Sequence, residues 1–148
     1  MEFKQSEFLI ETIVPKDEFI ISRTDLSGNI TYANEAFVTI SGFSLEELIG
    51  QPHSMVRHPD MPSSVFANLW KELESGNKWN GYVKNLRKDK GYYWVHATVS
   101  GVYKDGKLVE YKSIRTPISF GDKLKYQKKY DLMREKNNER IRVVTYSN

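Results

Sequence analysis

Cysteine is absent from this chain of 148 residues, which excludes disulfides, thiolate metal sites, thiol nucleophiles and any photochemistry that proceeds through a cysteine adduct. No apolar run approaches the roughly 18 residues that a membrane-spanning helix needs. The first residues, Met1 to Glu7, lack the apolar core and small-residue cleavage site of a secretory signal. The expectation is a cytoplasmic protein whose membrane link, if it has one, is supplied by a partner. Charge of one sign is scarce as well: 22 basic against 19 acidic residues leave a net charge of +3, with the basic residues dispersed until the Lys123 to Lys136 region. That argues against a nucleic-acid surface while leaving a phosphate-bearing ligand at ease. Catalytic patterns are missing too, since no acidic pair, no serine nucleophile with its base and no metal-spaced histidines stand out. His53 and His58 are split by irregular chain and make a poor zinc pair without further ligands. The expectation is a chain that is not an enzyme.

Proline is sparse, and three of the five prolines fall within Gly50 to Pro62. This stretch, Gly-Gln-Pro-His-Ser-Met-Val-Arg-His-Pro-Asp-Met-Pro, also holds two histidines, an arginine and an aspartate. Prolines fix φ and remove amide donors, so the segment should be stiff yet neither a regular helix nor a strand. Stiff irregular backbone carrying cationic and hydrogen-bonding side chains suits a small anionic ligand; a polar connecting loop is the plainer alternative.

The hydrophobic pattern around that stretch predicts one α+β domain. Short β-rich runs at Phe19 to Ser22 and Ile30 to Ala33 flank a Gly28-Asn29 turn signal. Asn34 is placed to cap a helix that Gly42 stops, and Ser44-Leu45-Glu46-Glu47 reads as a capping box. Pro62 sits where a first helical turn tolerates it, and Val65, Phe66, Leu69, Trp70 and Leu73 recur at helical spacing, a stripe that helix packing alone explains. After Gly76 the period becomes two: Trp79, Gly81, Val83 and Asn85 share one strand face. Further strands follow at Tyr92 to Tyr103 and Leu108 to Ile118, joined at Lys104 to Lys107. Ser119 opens a charged helix with Tyr126, Tyr130 and Met133 on one stripe, which would pack on the sheet or on a partner. The division is an arm over 1–18, a domain over 19–118 and a C-terminal helix and tail over 119–148. Phe8, Leu9, Ile10 and Ile13 would let a short helix of the arm dock; residues 139–148 carry a weak strand-like pattern.

This element order, with Asn34 after the second strand, Ser41 to Gln51 before the irregular stretch and Tyr93-Trp94-Val95 in the fourth strand, resembles a PAS domain across about residues 19–118. Gln51 to Pro62, followed by Trp79-Asn80-Gly81, Lys84-Asn85 and Ser113-Ile114-Arg115-Thr116, resembles the sensory domain of bacterial aerotaxis receptors. The resemblance implies a five-stranded antiparallel sheet with helices over one face. It also implies non-covalent FAD, redox or energy sensing, and a signal passed to a chemotaxis transducer, through a HAMP or signalling segment on the same or a separate chain. A homodimer is a further expectation. A cofactor-free interaction module, a haem-binding PAS gas sensor and a flavoenzyme are the rival readings.

A flavin dinucleotide needs an apolar slot, polar groups for its pyrimidine edge and cations or amides for its pyrophosphate. Arg57 suits the pyrophosphate, the alternative being a salt bridge with Asp60. Asn85, an amide on an otherwise apolar face, suits the ring edge, because a buried amide without partners costs about 1–3 kcal/mol. Trp79 offers a ring contact or is ordinary core. His58 suits phosphate, ribose or ring; Asp60 suits a cap on the long helix or a brace for Arg57. Asn34, His53 and Trp70 complete the candidate set, Asn34 with a helix cap as its alternative. Arg115 and Tyr111 on the fifth strand are expected to relay the signal, with the arm and the last helix as its outlets.

Overall fold

The β-rich runs before and after the helical region meet in one antiparallel sheet. The computed structural model describes residues 10–139. Its strands are β1 (Ile20–Thr24), β2 (Ile30–Ala33), β3 (Trp79–Leu86), β4 (Tyr92–Lys104) and β5 (Lys107–Thr116). They lie in the order β2-β1-β5-β4-β3, so the first hairpin is joined to the last strand, with Ile20 opposite Arg115 and Ser22 opposite Ser113. Asp105 and Gly106 both take positive φ, 52° and 76°, as a two-residue turn matched to strand twist requires. In the first hairpin the Asp25 carboxylate accepts the amides of Ser27 and Asn29, each at 2.9 Å.

Helices α1 (Glu35–Ser41), α2 (Leu45–Leu48) and α3 (Ser63–Glu74) lie over one face of this sheet. Asn34 Oδ1 accepts the Phe37 amide at 3.1 Å and starts α1, while Gly42, at φ 77°, ends it. Ser44 and Glu47 form both bonds of the capping box at α2. Pro62 stands just before α3, which has no side-chain cap, so its missing amide falls where no helical bond is due. The proline-bounded stretch is not wholly irregular: His53–Val56 make one 3₁₀ turn between Pro52 and Arg57.

Phe37, Leu48, Ile20, Ile30, Val56 and Tyr93 are essentially sealed from solvent in the core beneath α1 and α2. Burying each aliphatic or aromatic side chain of this kind is worth about 1.5–3 kcal/mol. A fourth helix, α4 (Phe120–Lys136), covers the opposite sheet face. Its stripe meets the sheet, as Tyr126 stacks on Tyr82 with ring centroids 4.0 Å apart and Tyr130 on Trp94 at 6.2 Å. The Tyr130 hydroxyl donates to the Tyr82 carbonyl.

In the arm, the expected short helix is not found over the described residues. Residues 10–12 run extended beside Tyr92, whose amide donates to the Ile10 carbonyl and whose carbonyl accepts the Thr12 amide at 2.8 Å. Backbone pairing at the start of β4 gives those amides partners that one turn of amphipathic helix would leave to solvent. Phe8, Leu9 and residues 140–148 of the tail lie outside the described residues. Among the described residues, no helix is long and apolar enough to cross a membrane.

Candidate functional site

Sheet and helices do not close completely on the inner side. A cavity of about 290 Å³ lies between α3, the proline stretch and the inner faces of β1, β3, β4 and β5. Its helical wall is Phe66, Leu69, Trp70 and Leu73, so the stripe expected to be packed core also lines a cavity, with Leu73 buried and Phe66 and Leu69 packed against the core. The reason lies across the gap. Several strand positions opposite carry short side chains, Ser22, Thr24, Ala97 and Ser113, which leave room beside the helix. Val65 packs in the core.

One end is closed by Trp70, edge-on to Tyr111 with centroids 5.6 Å apart. Along β3, Trp79, Val83 and Asn85 point inward. The Trp79 Nε1 donates to Asn68 at 3.0 Å, and its indole folds back over Gly81, where a Cβ would stand 2.2 Å from Trp79 Cη2. Gly81→Ala is therefore expected to push the indole off its seat and cost about 1–3 kcal/mol, the range for overpacking. Thermal unfolding checks this; an unshifted midpoint would mean the indole moves freely.

Asn85 is buried, and its Nδ2 reaches the Tyr93 hydroxyl at 3.4 Å. Its backbone pairs with Arg57, so one bridge sets both side chains on the cavity. The Arg57 guanidinium lies 3.6 Å from the Phe66 ring centroid.

The deep end holds Arg115 of β5 together with His53 and Ser22. Arg115, only 2% exposed, donates from Nη2 to Ser22 Oγ at 2.7 Å and from Nη1 to His53 Nε2 at 3.1 Å. It also lies 4.3 Å from the Phe37 ring. Among the described residues no carboxylate comes within ion-pair distance of it. Burial pushes its pKa down to about 10, which marks the cost of an unneutralised charge. Nearby His53 Nε2 accepts from Arg115 and lies 3.1 Å from Ser22 Oγ. Burial, then the Arg115 charge, push its pKa down to about 3. The folded state keeps His53 neutral while the unfolded chain protonates it below its ordinary 6.5. Its share of stability is full above pH 6.5 and lost as pH falls toward 3. Acid unfolding of His53→Gln is thus expected to show a shallower loss between those values; an unchanged slope there would contradict the assignment.

Among the described residues, Arg57 and Arg115 are the cationic side chains on the cavity, and no aspartate or glutamate lines it. Of the candidate set, Arg57, Trp79, Asn85, His53 and Trp70 come together there. Asn34, His58 and Asp60 do not. Asn34 is spent on the backbone, accepting the Ile21 and Phe37 amides and donating to the Phe19 carbonyl. His58 and Asp60 turn to the far side of β3, with His58 Nδ1 2.8 Å from Asp60 and Lys84 Nζ 2.9 Å from it. Asp60 thus neither caps α3 nor contacts the cavity. Burial pushes the Asp60 carboxyl up, but bonding to His58 and the His58 and Lys84 charges outweigh it and hold it well below the usual range. Ser22 and Ser113 line the cavity outside the candidate set, as do Arg115 and Tyr111, expected as relay residues rather than ligand contacts. The inward alternation of Tyr111, Ser113 and Arg115 on β5 was the available signal.

The family model for the PAS fold matches residues 30–115. The chain belongs to the PAS fold family. Among curated proteins this PAS chain is 50% identical over 105 residues to the aerotaxis receptor of Escherichia coli (strain K12), a match covering 71% of this chain and 21% of the receptor. It is 32% identical over 117 residues to the nitrogen fixation regulatory protein of Klebsiella pneumoniae, covering 78% and 24%. The PAS chain thus spans less than a quarter of either relative's length. Among solved structures, the PAS domain of a Colwellia psychrerythraea protein superposes with a TM-score of 0.62 at 29% identity, over 68% of this chain and 86% of that one. A light-oxygen-voltage domain studied with a flavin analogue gives 0.62 at 26%, over 82% and 87%.

Proposed function

We propose that this PAS domain binds FAD non-covalently in the cavity and reports its redox state to a chemotaxis transducer. The observation that carries the reading is the cavity's charge: among the described residues two cationic side chains, Arg57 and Arg115, and no acidic one, with Arg115 buried among neutral partners only. A cofactor-free module gains nothing from a buried guanidinium without a carboxylate, whereas a phosphate-bearing or electron-accepting ligand offsets its desolvation. Likeness to an aerotaxis receptor and to a light-oxygen-voltage domain studied with a flavin analogue supports the same reading.

The residues present fit such a group. Arg57 would hold the phosphates, as a planar fork able to make paired bonds. Asn85, Ser22 and Ser113 would meet the polar ring edge, and Trp79, Phe66, Leu69 and Val83 would enclose the apolar ring surface and exclude water. Bound FAD would supply reversible electron acceptance. Arg115 presents a fixed positive charge to the deep end, and His53, held neutral with Nε2 accepting, keeps that guanidinium aimed. The signal would reach a HAMP or signalling segment through elements flanking the sheet.

The test is to purify the full chain, denature it and separate the released cofactor by chromatography. FAD at one per chain is expected. No flavin after reconstitution with FAD, or haem or FMN in its place, would overturn the reading.

A further inference from the structure

We infer that the domain carries a second small-molecule site, a groove along the open edge of β3 between α3 and α4 that takes a small aromatic carboxylate. It is separate from the inner cavity and independent of what fills that cavity.

β3 is an outer strand of the sheet. Its free side is covered in the second half, where Asn85 pairs with Arg57 and the Lys84 carbonyl accepts the His58 amide. In the first half, residues 79–82 instead border a groove of about 340 Å³ whose other walls come from α3 and α4, a size within the roughly 300–1,000 Å³ of small-molecule sites. Its apolar part is largely aromatic. Tyr82 and Tyr126 stack with centroids 4.0 Å apart and 23° between their planes, and His96 stands edge-on to Tyr82 at 5.2 Å. Such a surface receives a further flat ring by offset stacking or edge contact.

The polar part consists of donors. Asn68 and Asn80 line the groove with their side-chain carbonyls already engaged, Asn68 Oδ1 by Trp79 Nε1 at 3.0 Å and Asn80 Oδ1 by Thr98 Oγ1 at 2.8 Å. Each amide is thereby oriented, with its Nδ2 left to donate. Lys129 of α4 adds a cation, its Nζ 5.4 Å from the Tyr126 ring centroid, and among the described residues no carboxylate comes within ion-pair distance of it. Among the described residues no aspartate or glutamate lines the groove; Asp122 acts on the Tyr82 hydroxyl from outside that lining. Two amide donors and one ammonium beside an aromatic floor complement a single negative charge carried on a flat ring, and a carboxylate supplies that charge with acceptors for all three.

The experiment titrates the full chain with 2-naphthoate, following backbone amide shifts by nuclear magnetic resonance and the heat of binding by calorimetry. Saturable binding at one per chain is expected, with the shifts gathered at residues 79–82 and 126–133. Lys129 is exposed, so Lys129→Met should fold as the wild type does and weaken naphthoate about tenfold, the lower end of what a charge-assisted hydrogen bond contributes. The uncharged 2-naphthylmethanol should bind the wild-type protein more weakly than naphthoate by a similar factor, and cyclohexanecarboxylate, which keeps the charge and lacks the aromatic face, should also bind more weakly. Added salt should weaken naphthoate, since an exposed charge is screened. Absence of saturation, or equal naphthoate affinity in the wild type and Lys129→Met, would overturn the site. Shifts centred instead on Ser22, Ser113 and Arg115 would put the probe in the inner cavity and overturn it as well.

Discussion

Arg57→Ala is expected to yield a folded domain that no longer retains FAD. The side chain is half-buried, and its guanidinium lies over the Phe66 ring, a contact worth about 0.5–1 kcal/mol at a partly exposed site. That is a small part of the stability of a domain with its core beneath α1 and α2. Its share of ligand binding is larger, since a charge-assisted bond to phosphate contributes about 1.5–3 kcal/mol, or roughly ten- to 150-fold in affinity. Asn85→Ala should behave alike for a different reason: it removes a buried amide that spans the Tyr93 hydroxyl and the cavity. Arg57→Lys, which keeps the charge and loses the fork, should fall between. The flavin-to-protein absorbance ratio, read with far-ultraviolet circular dichroism, measures both quantities. Stoichiometric FAD in the two alanine variants would defeat the site.

Much of the fold was legible because its signals are local. Asn34, Gly42, the Ser44 and Glu47 pair and the Asp105-Gly106 turn each fix a boundary through one or two bonds within a few residues. The strand period of β3 likewise assigned Trp79 and Asn85 to one face. What was not legible depends on what lies across a gap. The α3 stripe has the same spacing whether it meets leucines or a void; only the register that puts Ser22 opposite Ser113, and so leaves short side chains facing Phe66 and Leu69, decides between them. His58 and Asp60 show the second kind of limit. Their sequence neighbourhood with Arg57 suggests one site, yet the pairing of Arg57 with Asn85 sends them to the outer side, where Lys84 neutralises Asp60. Arg115 shows a third: its polar partners Ser22 and His53 lie 93 and 62 residues away in sequence, so no local pattern announces a guanidinium without a carboxylate.

That guanidinium also separates stability from function in a way one substitution can read. Arg115→Met replaces a buried, unneutralised charge with an apolar side chain of similar length. Exchanging buried charge for well-packed apolar groups is commonly neutral or stabilising by about 1–4 kcal/mol. Here little is left unsatisfied, because Ser22 Oγ and His53 Nε2 already stand 3.1 Å apart and can bond each other. The cofactor-free variant is therefore expected to unfold at the same denaturant midpoint or a higher one. Its affinity for FAD should fall at least about tenfold, since a charged hydrogen bond of about 1.5–3 kcal/mol disappears from the cavity wall. Loss of the Arg115 charge also removes one of the two main influences that depress His53, so the imidazole should titrate at higher pH in the variant. Opposite signs for stability and affinity are the signature of a charge kept for its ligand rather than for the fold. A variant that is clearly less stable yet binds FAD as before would mean that Arg115 is a structural bolt between β1, β5 and the proline stretch, and that the cavity's positive charge serves no ligand.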